Sequence, residues 1–361
     1  MLKLLPLYGI CFLLAILSNY NSVYDQTEES YFYKEKVFFI ILAIVAIIFA
    51  GLRTNYNDTY TYMESYDLLK SSEVFENFNY SIGSYPGFML VQGLMKMAGF
   101  SSQSFIMFFS LISIGISLWF VRKYTDNIWL SVFLFFTMGY FGFMMAAIKQ
   151  STAMAISLIA VDRLINKKPV QYVLFILLAM TFHPFAMMFF IVPFLQFRPW
   201  TWRTFLVFII TLAITFSMQT WLGTAVDFIG MMGREYNEQQ LLGQGINIFR
   251  VGVVWAPIAL SFFTYRYWGQ NTKKEQNIIL NLAMLNAELM LISMFGNPIY
   301  FGRLATYFLM FQVLALPVIL QCFERKSKFL LIGLVMILFF AYDYYGNVLS
   351  GGNFDSYFKS V

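Results

Sequence analysis

The sequence predicts an all-α, polytopic membrane protein of about 12 transmembrane helices, and its composition is the first reason. Of the 361 residues, 59% are apolar and only 12% are charged, against about a quarter in an ordinary soluble domain. Aromatic residues make up 20% of the chain, and the mean hydropathy is +0.65. So few polar side chains cannot cover a water-soluble globule. The composition therefore excludes a soluble Rossmann enzyme, a nucleic-acid-binding protein and a disordered chain.

Apolar runs supply the second reason, because they alternate with charged or Gly-, Pro- and Asn-rich breaks. The predicted spans lie at residues 4–18, 37–52, 104–121, 128–144, 146–165, 170–182, 184–197, 205–222, 249–265, 278–295, 299–322 and 329–345. The first run follows one lysine and has no small-residue cleavage site, so we expect a retained helix. Together the spans predict a single integral membrane domain over residues 1–361.

Basic residues in the short connections supply the third reason. They occupy alternate connections, which predicts that these connections are cytoplasmic and that both termini lie outside. The segment 86–100 is apolar but short, so we interpret it as an interfacial or re-entrant helix that does not cross. The residues of the basic face are Lys34, Lys36, Arg122, Lys123, Arg163, Lys167, Lys168, Arg198, Arg203, Arg266, Lys273, Lys274, Arg325, Lys326 and Lys328.

Two outer segments, 53–83 and 223–248, are too long to be simple turns, and we expect both to cover the functional site. Within the first, Tyr62 and Tyr66 recur at helical spacing opposite Glu64 and Asp67, which predicts an amphipathic helix at the interface. The second is rich in Gly and Gln and is typical of a mobile loop beside a site.

Several charged side chains do not fit the topology, because they lie at the outer ends of predicted spans. A charge in such a place is costly and by default indicates a functional site. Cations that converge there with few acids indicate an anionic ligand, and lipid-linked phosphates or diphosphates are the available anions. Arg303 is the leading candidate, since a guanidinium binds phosphate oxygens through two hydrogen bonds. The full set is Arg53, Lys149, His183, Arg250 and Arg303.

The charged candidates also have ordinary interpretations. Arg53 can extend to lipid headgroups. Arg234 and Arg250 flank the second outer segment and can reach the same ligand, but they can equally be loop charges. Asp58 precedes the predicted amphipathic helix and can be its N-cap.

The polar and aromatic candidates are similarly open to two interpretations. His183 precedes a proline at the apex of a hairpin, where imidazole is suited to proton transfer, yet it can be a hydrogen-bonded structural residue. Gln150 supplies further donors beside Lys149. Tyr60, Tyr62 and Tyr300 can stack on sugars or belong to the interfacial aromatic belt.

Four short motifs follow one another along the chain: GLR followed by Asp58 and a tyrosine, IKQSTAMAISLIA, FHPFAMMFF and RLATYFLMF. In this order they resemble the EpsG-like branch of the Wzy-type polysaccharide polymerases, and the resemblance covers nearly the whole chain. Two positions depart from the family pattern. The family commonly has Arg-Gln at Lys149-Gln150, so the charge is kept but the fork geometry is lost. It commonly has a small residue at Pro184.

The resemblance implies a GT-C-like fold in the bacterial cytoplasmic membrane, with an outward-facing active site. The implied reaction joins oligosaccharide repeat units carried on undecaprenyl diphosphate into exopolysaccharide, capsule or O-antigen chains, with no metal or other cofactor. The diphosphate would be held by Arg303, Arg53, Lys149, Arg250 and Arg234. The general base would be His183, with Asp58 as its rival. Further substrate contacts would come from Tyr60, Tyr62, Tyr300 and Gln150.

The implied partners are lipid-linked oligosaccharides, membrane lipids, and a chain-length regulator and flippase of the same pathway; nucleic acid is not among them. An O-antigen ligase-like transferase and a flippase of lipid-linked oligosaccharides are the alternative functions. Transporters place polar residues near the membrane midplane. Glu288 is the main such residue here, and it can instead be a hydrogen-bonded carboxyl that braces two helices.

Overall fold

The computed structural model describes residues 4–24, 29–75, 78–125, 127–231, 241, 245–268, 272–297, 300–349 and 354–356. Within these ranges the chain is largely helical, as the sequence predicts. The α-helices are α1 (Leu4–Tyr24), α2 (Glu29–Gly51), α3 (Thr59–Leu68), α4 (Pro86–Met97), α5 (Ser102–Tyr124), α6 (Ile128–Thr137), α7 (Tyr140–Ala146), α8 (Ile148–Ile165), α9 (Pro169–Phe182), α10 (Trp202–Phe216), α11 (Met218–Met231), α12 (Ile248–Phe263), α13 (Lys274–Ile292), α14 (Phe301–Thr306), α15 (Leu309–Gln321) and α16 (Arg325–Asp343). Short 3-10 helices lie at Ser71–Glu73 and Ile82–Ser84, a longer one at Pro184–Leu195, and a π-helical segment at Tyr344–Leu349.

Local sequence signals explain where several helices begin. The side chain of Ser101 accepts a hydrogen bond from the backbone N–H of Ser104 and caps α5. Asn127 caps α6 in the same way through the N–H of Leu130. Proline opens α4, α9 and the long 3-10 helix, where its missing N–H has no intrahelical partner to lose.

By length and composition, α5 and the segment Arg325–Gly346 can each cross a membrane. The pairs α6–α7 and α10–α11 pass the same test together but bend by more than 40°. Several other apolar helices have only 10–17 residues. At 1.5 Å per residue they extend about 15–26 Å, which is less than the hydrocarbon thickness of about 30 Å. The apolar helices therefore support a helical membrane protein, while the 12 crossings and the GT-C-like fold stay predictions.

The structure divides three spans that the sequence predicts to be continuous. The span 205–222 breaks at Ser217, between α10 and α11, and its two parts bend by 91°. The span 128–144 breaks at Gly139, which has a φ of +81° and turns α7 by 50° from α6. A left-handed backbone suits glycine because it has no Cβ. The span 299–322 breaks at Tyr307 and Phe308, whose N–H groups bond three residues back, to Leu304 and Ala305.

The second outer segment also differs from its prediction. The expected loop at 223–248 begins as helix, because α11 continues to Met231. Residues 232–240 and 242–244 lie outside the described part of the chain.

The helices divide into a buried centre and an apolar periphery. Helices α8, α13 and α15 bury most of their side chains. Helices α1, α9, α10 and α16 expose large apolar residues, among them Leu13, Leu177, Ile209 and Ile337. Exposed apolar surface on this scale is the surface that lipid covers in a helical membrane protein.

Helix α4 begins and ends near segments that the sequence assigns to one face. At its start, Gly87 packs closely against the side chain of Thr181, two residues before His183: a Cβ added to Gly87 would lie 2.2 Å from the Thr181 hydroxyl. At its end, Lys96 donates to the carbonyl of Asp67 at 3.1 Å, and Tyr66 donates to the carbonyl of Phe100 at 2.8 Å. This arrangement agrees with the predicted helix that does not cross.

A pair of short strands was not predicted. Strand β1 (Arg53–Asn55) pairs antiparallel with β2 (Asp355–Ser356), and the ring of Phe354 stacks on Phe49 at 4.8 Å. The pairing places the segment after α2 beside residues 354–356, two regions that the sequence predicts to share the outer face. In the connections predicted to lie on the cytoplasmic face, Asp162 binds both Lys123 and the hydroxyl of Tyr124.

Candidate active site

Arg250 and Arg303 line one cavity of about 380 Å³. The cavity lies at the break between α6 and α7, near the break between α14 and α15, and beside the first turn of α12. Apart from the arginines its wall is mainly apolar, formed by residues such as Met138, Phe143, Val254, Leu309 and Phe339. Two exposed guanidinium groups at an apolar cavity suit a ligand that combines an anionic group with an apolar part.

The backbone of α14 is fixed by side chains of two buried helices. Gln150 of α8 donates through Nε2 to the carbonyl of Arg303 at 2.8 Å, and Asn286 of α13 donates to the carbonyl of Ala305. Gln150 is only 2% exposed. Its side-chain amide therefore fixes the backbone at Arg303, and the predicted substrate contact of Gln150 stays a prediction.

Arg250 lies in the first turn of α12, and its side chain is exposed. The preceding Asn247 accepts a hydrogen bond from the N–H of Phe249 and fixes the start of the helix. A helix N-terminus carries a partial positive charge, so this turn adds to the electropositive character of the cavity.

His183 connects α9, which ends at Phe182, to the long 3-10 helix, which begins at Pro184, and belongs to neither helix. Its Nδ1 atom is 2.8 Å from the hydroxyl of Tyr307, and both side chains are buried. Burial, followed by the positive charges of Arg303 and Lys149, lowers the pKa of His183 from 6.5 to about 3. The imidazole is therefore neutral at physiological pH and has one nitrogen free to accept a proton, although a pKa this low makes it a weaker base than an ordinary histidine.

Lys149 of α8 contacts three aromatic rings, which we call the aromatic cluster: Tyr62, Tyr85 and Phe88. Its Nζ lies 4.2 Å from the ring centre of Tyr85, 4.9 Å from Phe88 and 5.9 Å from Tyr62. These distances allow cation–π attraction, which offsets part of the cost of a half-buried ammonium group. The ring of Tyr85 also lies 5.7 Å from that of His183, so the cluster joins the two polar groups.

Arg53 has a different environment from the one predicted. It is 1% exposed, and its Nε donates to Thr59 Oγ1 at 3.0 Å. One of its Nη atoms donates to Ser110 Oγ at 2.8 Å and to the carbonyl of Ala50. The predicted role as a diphosphate ligand does not suit this environment, because the guanidinium joins α2, α3 and α5 from within the protein.

The remaining predicted residues are dispersed. Asp58 is exposed at the N-cap of α3, and its side chain makes no capping hydrogen bond, so the expected N-cap interaction is absent. Tyr60 is 62% exposed and lines a separate shallow cavity with Glu64. Tyr300 packs against an apolar cluster around Met218. Arg234 lies outside the described residues.

Glu288 matches its ordinary interpretation. It is buried in α13 and accepts a hydrogen bond from Thr211 Oγ1 of α10 at 3.0 Å. The carboxyl therefore braces two helices, as expected.

Sequence reasoning missed the partner of His183 and the walls of the cavity. Tyr307 and Tyr85 had no signal in the sequence that set them apart from the other tyrosines. The proline after His183 indicated a break at that residue, but nothing in the sequence indicated the break at Tyr307.

The family model of EpsG matches residues 36–358, which include Lys149, His183, Arg250 and Arg303. No curated protein and no solved structure is significantly similar to this chain. The match extends from α2 to residue 358 and includes both the cavity and the aromatic cluster. The chain belongs to the EpsG family, a family similar to the Wzy-type polysaccharide polymerases.

Proposed function

We propose that the protein polymerises oligosaccharide repeat units carried on undecaprenyl diphosphate, at the outer face of the bacterial cytoplasmic membrane. The observation that carries this proposal is the cavity that Arg250 and Arg303 line together. Membership of the EpsG family supports the polymerase class.

The cavity suits the lipid diphosphate of the donor. The two arginines can hold its phosphate oxygens, and the apolar wall can accept the first part of the lipid. Negative charge on the diphosphate increases as the sugar departs, so fixed cations stabilise the transition state more than the ground state. In this proposal they supply the charge stabilisation that a divalent cation gives in other glycosyltransferases.

The reaction exchanges one glycosidic bond for another. A hydroxyl oxygen of the acceptor sugar attacks the anomeric carbon at the reducing end of the growing chain. The bond from that carbon to the diphosphate oxygen breaks, and its electron pair leaves with the diphosphate. His183 takes the proton of the acceptor hydroxyl. Asp58 remains the rival base, and it is the more exposed of the two.

The aromatic cluster supports this scheme on the acceptor side. Aromatic faces bind the apolar faces of sugars, and Tyr85 lies between Lys149 and His183. An acceptor sugar on this cluster would have its hydroxyl groups near the imidazole. We extend the proposal to a GT-C-like fold of 12 spans and to a flippase and a chain-length regulator as pathway partners.

Reconstitution tests the proposal directly. The purified protein is placed in lipid vesicles with undecaprenyl-diphosphate-linked repeat units, with and without a metal chelator, and the products are sized. We expect a ladder of products that the chelator does not abolish. A single transfer to a different acceptor would instead indicate a ligase, and translocation without any transfer would indicate a flippase. Either result would overturn the proposal.

A further inference from the structure

We propose that Tyr307 is a positioning residue that holds His183 in the tautomer with its proton on Nδ1. The inference rests on the proposed function, because the base role of His183 selects this tautomer over the other, but the tautomer can be observed without any reaction.

The contact between the two side chains is short and enclosed. The hydroxyl of Tyr307 lies 2.8 Å from Nδ1 of His183, and Tyr307 is 1% exposed. The ring of Phe189 lies 6.1 Å from that of Tyr307 and stacks on Phe308 at 4.8 Å. Tyr307 lies at the break between α14 and α15, so the break brings the phenol to the imidazole.

Charged and polar groups surround His183 on more than one side. The cations Arg303 of α14 and Lys149 of α8 both act on its charge. The phenol rings of Tyr85 and Tyr307 lie 5.7 and 6.0 Å from the imidazole ring. Because burial, and after it the two cations, disfavour a proton on His183, its neutral form dominates, and a neutral imidazole carries a single N–H.

Which nitrogen carries that proton decides what His183 can do. If the phenol donates to Nδ1, the proton lies on Nε2, and Nε2 cannot act as a base. If Nδ1–H donates to the phenol oxygen, Nε2 has a free lone pair and can take the proton of the acceptor hydroxyl. The proposed role of His183 therefore requires the second arrangement. The hydrogen bond made by one ring nitrogen determines the state of the other.

The same contact stabilises the product of proton transfer. After Nε2 takes a proton, the imidazolium retains its Nδ1–H bond to the phenol oxygen, and this bond strengthens with the positive charge. The diphosphate that leaves beside Arg303 adds negative charge at the same moment. Tyr307 thus acts through His183 and need not contact the substrate.

His183 is the only histidine in the chain, so its tautomer can be measured without ambiguity. Protein labelled with ¹⁵N-histidine, purified without a histidine tag and placed in lipid bilayers, is examined by solid-state NMR at pH 7. We expect an Nδ1-protonated imidazole in the natural protein and a population shift towards Nε2-H in Tyr307→Phe. An Nε2-H imidazole in the natural protein, or identical spectra for both proteins, would overturn the inference.

Activity gives a second readout. We expect Tyr307→Phe to lower kcat by about 10- to 100-fold, as the loss of an orienting partner commonly does, with less than about a threefold change in KM. The acid limb of its pH profile should move to lower pH, because the imidazolium loses a hydrogen bond. In a His183→Gln background, Tyr307→Phe should cause no further loss. An equal loss in both backgrounds would show that Tyr307 does not act through His183.

Tyr172→Phe is the matched control. Tyr172 is also buried, and its hydroxyl donates to the carbonyl of Phe189, in the segment that packs on Tyr307. We expect this variant to keep the tautomer and the pH profile of the natural protein. If the natural protein forms no polymer while its NMR spectrum shows the Nδ1-H tautomer, the proposed function fails and the positioning inference survives.

Discussion

Arg53 and Arg303 look alike in the sequence but occupy opposite environments. Arg53 follows an apolar run and Arg303 lies near the start of one, and neither has an acidic residue directly beside it in the sequence. Arg53 is enclosed by α2, α3 and α5 and donates to oxygens of Ala50, Thr59 and Ser110. Arg303 is exposed at a cavity that it shares with Arg250. The difference teaches that a charge at a helix end is available to a ligand only where the protein itself does not supply the acceptors.

Replacing Arg303 should have the largest effect on activity. We expect Arg303→Ala to lower kcat/KM by about 100- to 1,000-fold, the loss typical of a removed transition-state donor. Arg303→Lys should retain part of the activity, because it keeps the charge but loses the fork. Polymer length and yield are measured in vesicles at equal protein levels. Normal polymer from Arg303→Ala would remove Arg303 from the site.

Replacing His183 should have the second largest effect on activity. We expect His183→Ala to reduce turnover about 100-fold, within the range of general base catalysis, while binding of the lipid diphosphate stays within about threefold. Asp58→Asn is the paired variant, since it removes the charge of the rival base. A large loss in Asp58→Asn together with normal turnover in His183→Ala would transfer the base role to Asp58.

Arg250 shares the cavity and should contribute less. We expect Arg250→Ala to raise KM for the lipid-linked donor about tenfold, as for a lost charge-assisted contact, with a smaller change in kcat. Arg203→Ala is the control, because Arg203 is exposed at the start of α10 and is not among the residues that line the cavity. Equal effects from both variants would indicate a general charge effect.

Arg53→Ala should affect the fold rather than the chemistry. Removing this guanidinium leaves buried acceptors unsatisfied, which costs about 1–3 kcal/mol each where no other donor replaces it. We therefore expect a lower Tm in detergent and less folded protein, with activity per folded molecule within about threefold of normal. A stable Arg53→Ala protein that fails to polymerise would return Arg53 to the ligand site.

The last prediction concerns how the stability of the folded protein depends on pH through His183. His183 has a pKa of about 3 in the folded protein and 6.5 ordinarily. Above pH 6.5 the residue is neutral in both states and contributes no pH dependence. As pH falls from 6.5 towards 3, the unfolded state binds the proton first, so stability is lost. At pH 5 the loss is about 2 kcal/mol relative to His183→Gln, measured as a change in the Tm difference between the two proteins.

Much of the fold could be predicted from the sequence because apolar runs and their breaks are local features. The helices, among them the amphipathic α3 and the short α4, follow from such patterns, while the expectation that α4 does not cross the membrane stays a prediction. The bracing role of Glu288 also follows, because a buried carboxyl needs a hydrogen-bond donor.

The remaining features depend on partners far away in the chain. Arg53 is buried against α5, where its hydrogen-bond partner Ser110 lies 57 residues further along the chain. Strand β1 pairs with a strand some 300 residues away. Tyr307 contacts His183 at two breaks in the helices, one after α9 at His183 and one after α14 at Tyr307, and the second has no glycine or proline to indicate it. The ends of the apolar runs therefore located the candidate cations but could not show which of them line a cavity and which are buried.

The central claim is that the cavity with Arg250 and Arg303 binds a lipid diphosphate. Equilibrium binding of undecaprenyl diphosphate to the purified protein, compared with the monophosphate, tests it most directly. The account predicts tighter binding of the diphosphate, at least about tenfold weaker binding by Arg303→Ala and unchanged binding by Arg203→Ala. Equal binding by the natural protein and Arg303→Ala, or no preference for the diphosphate, would contradict it.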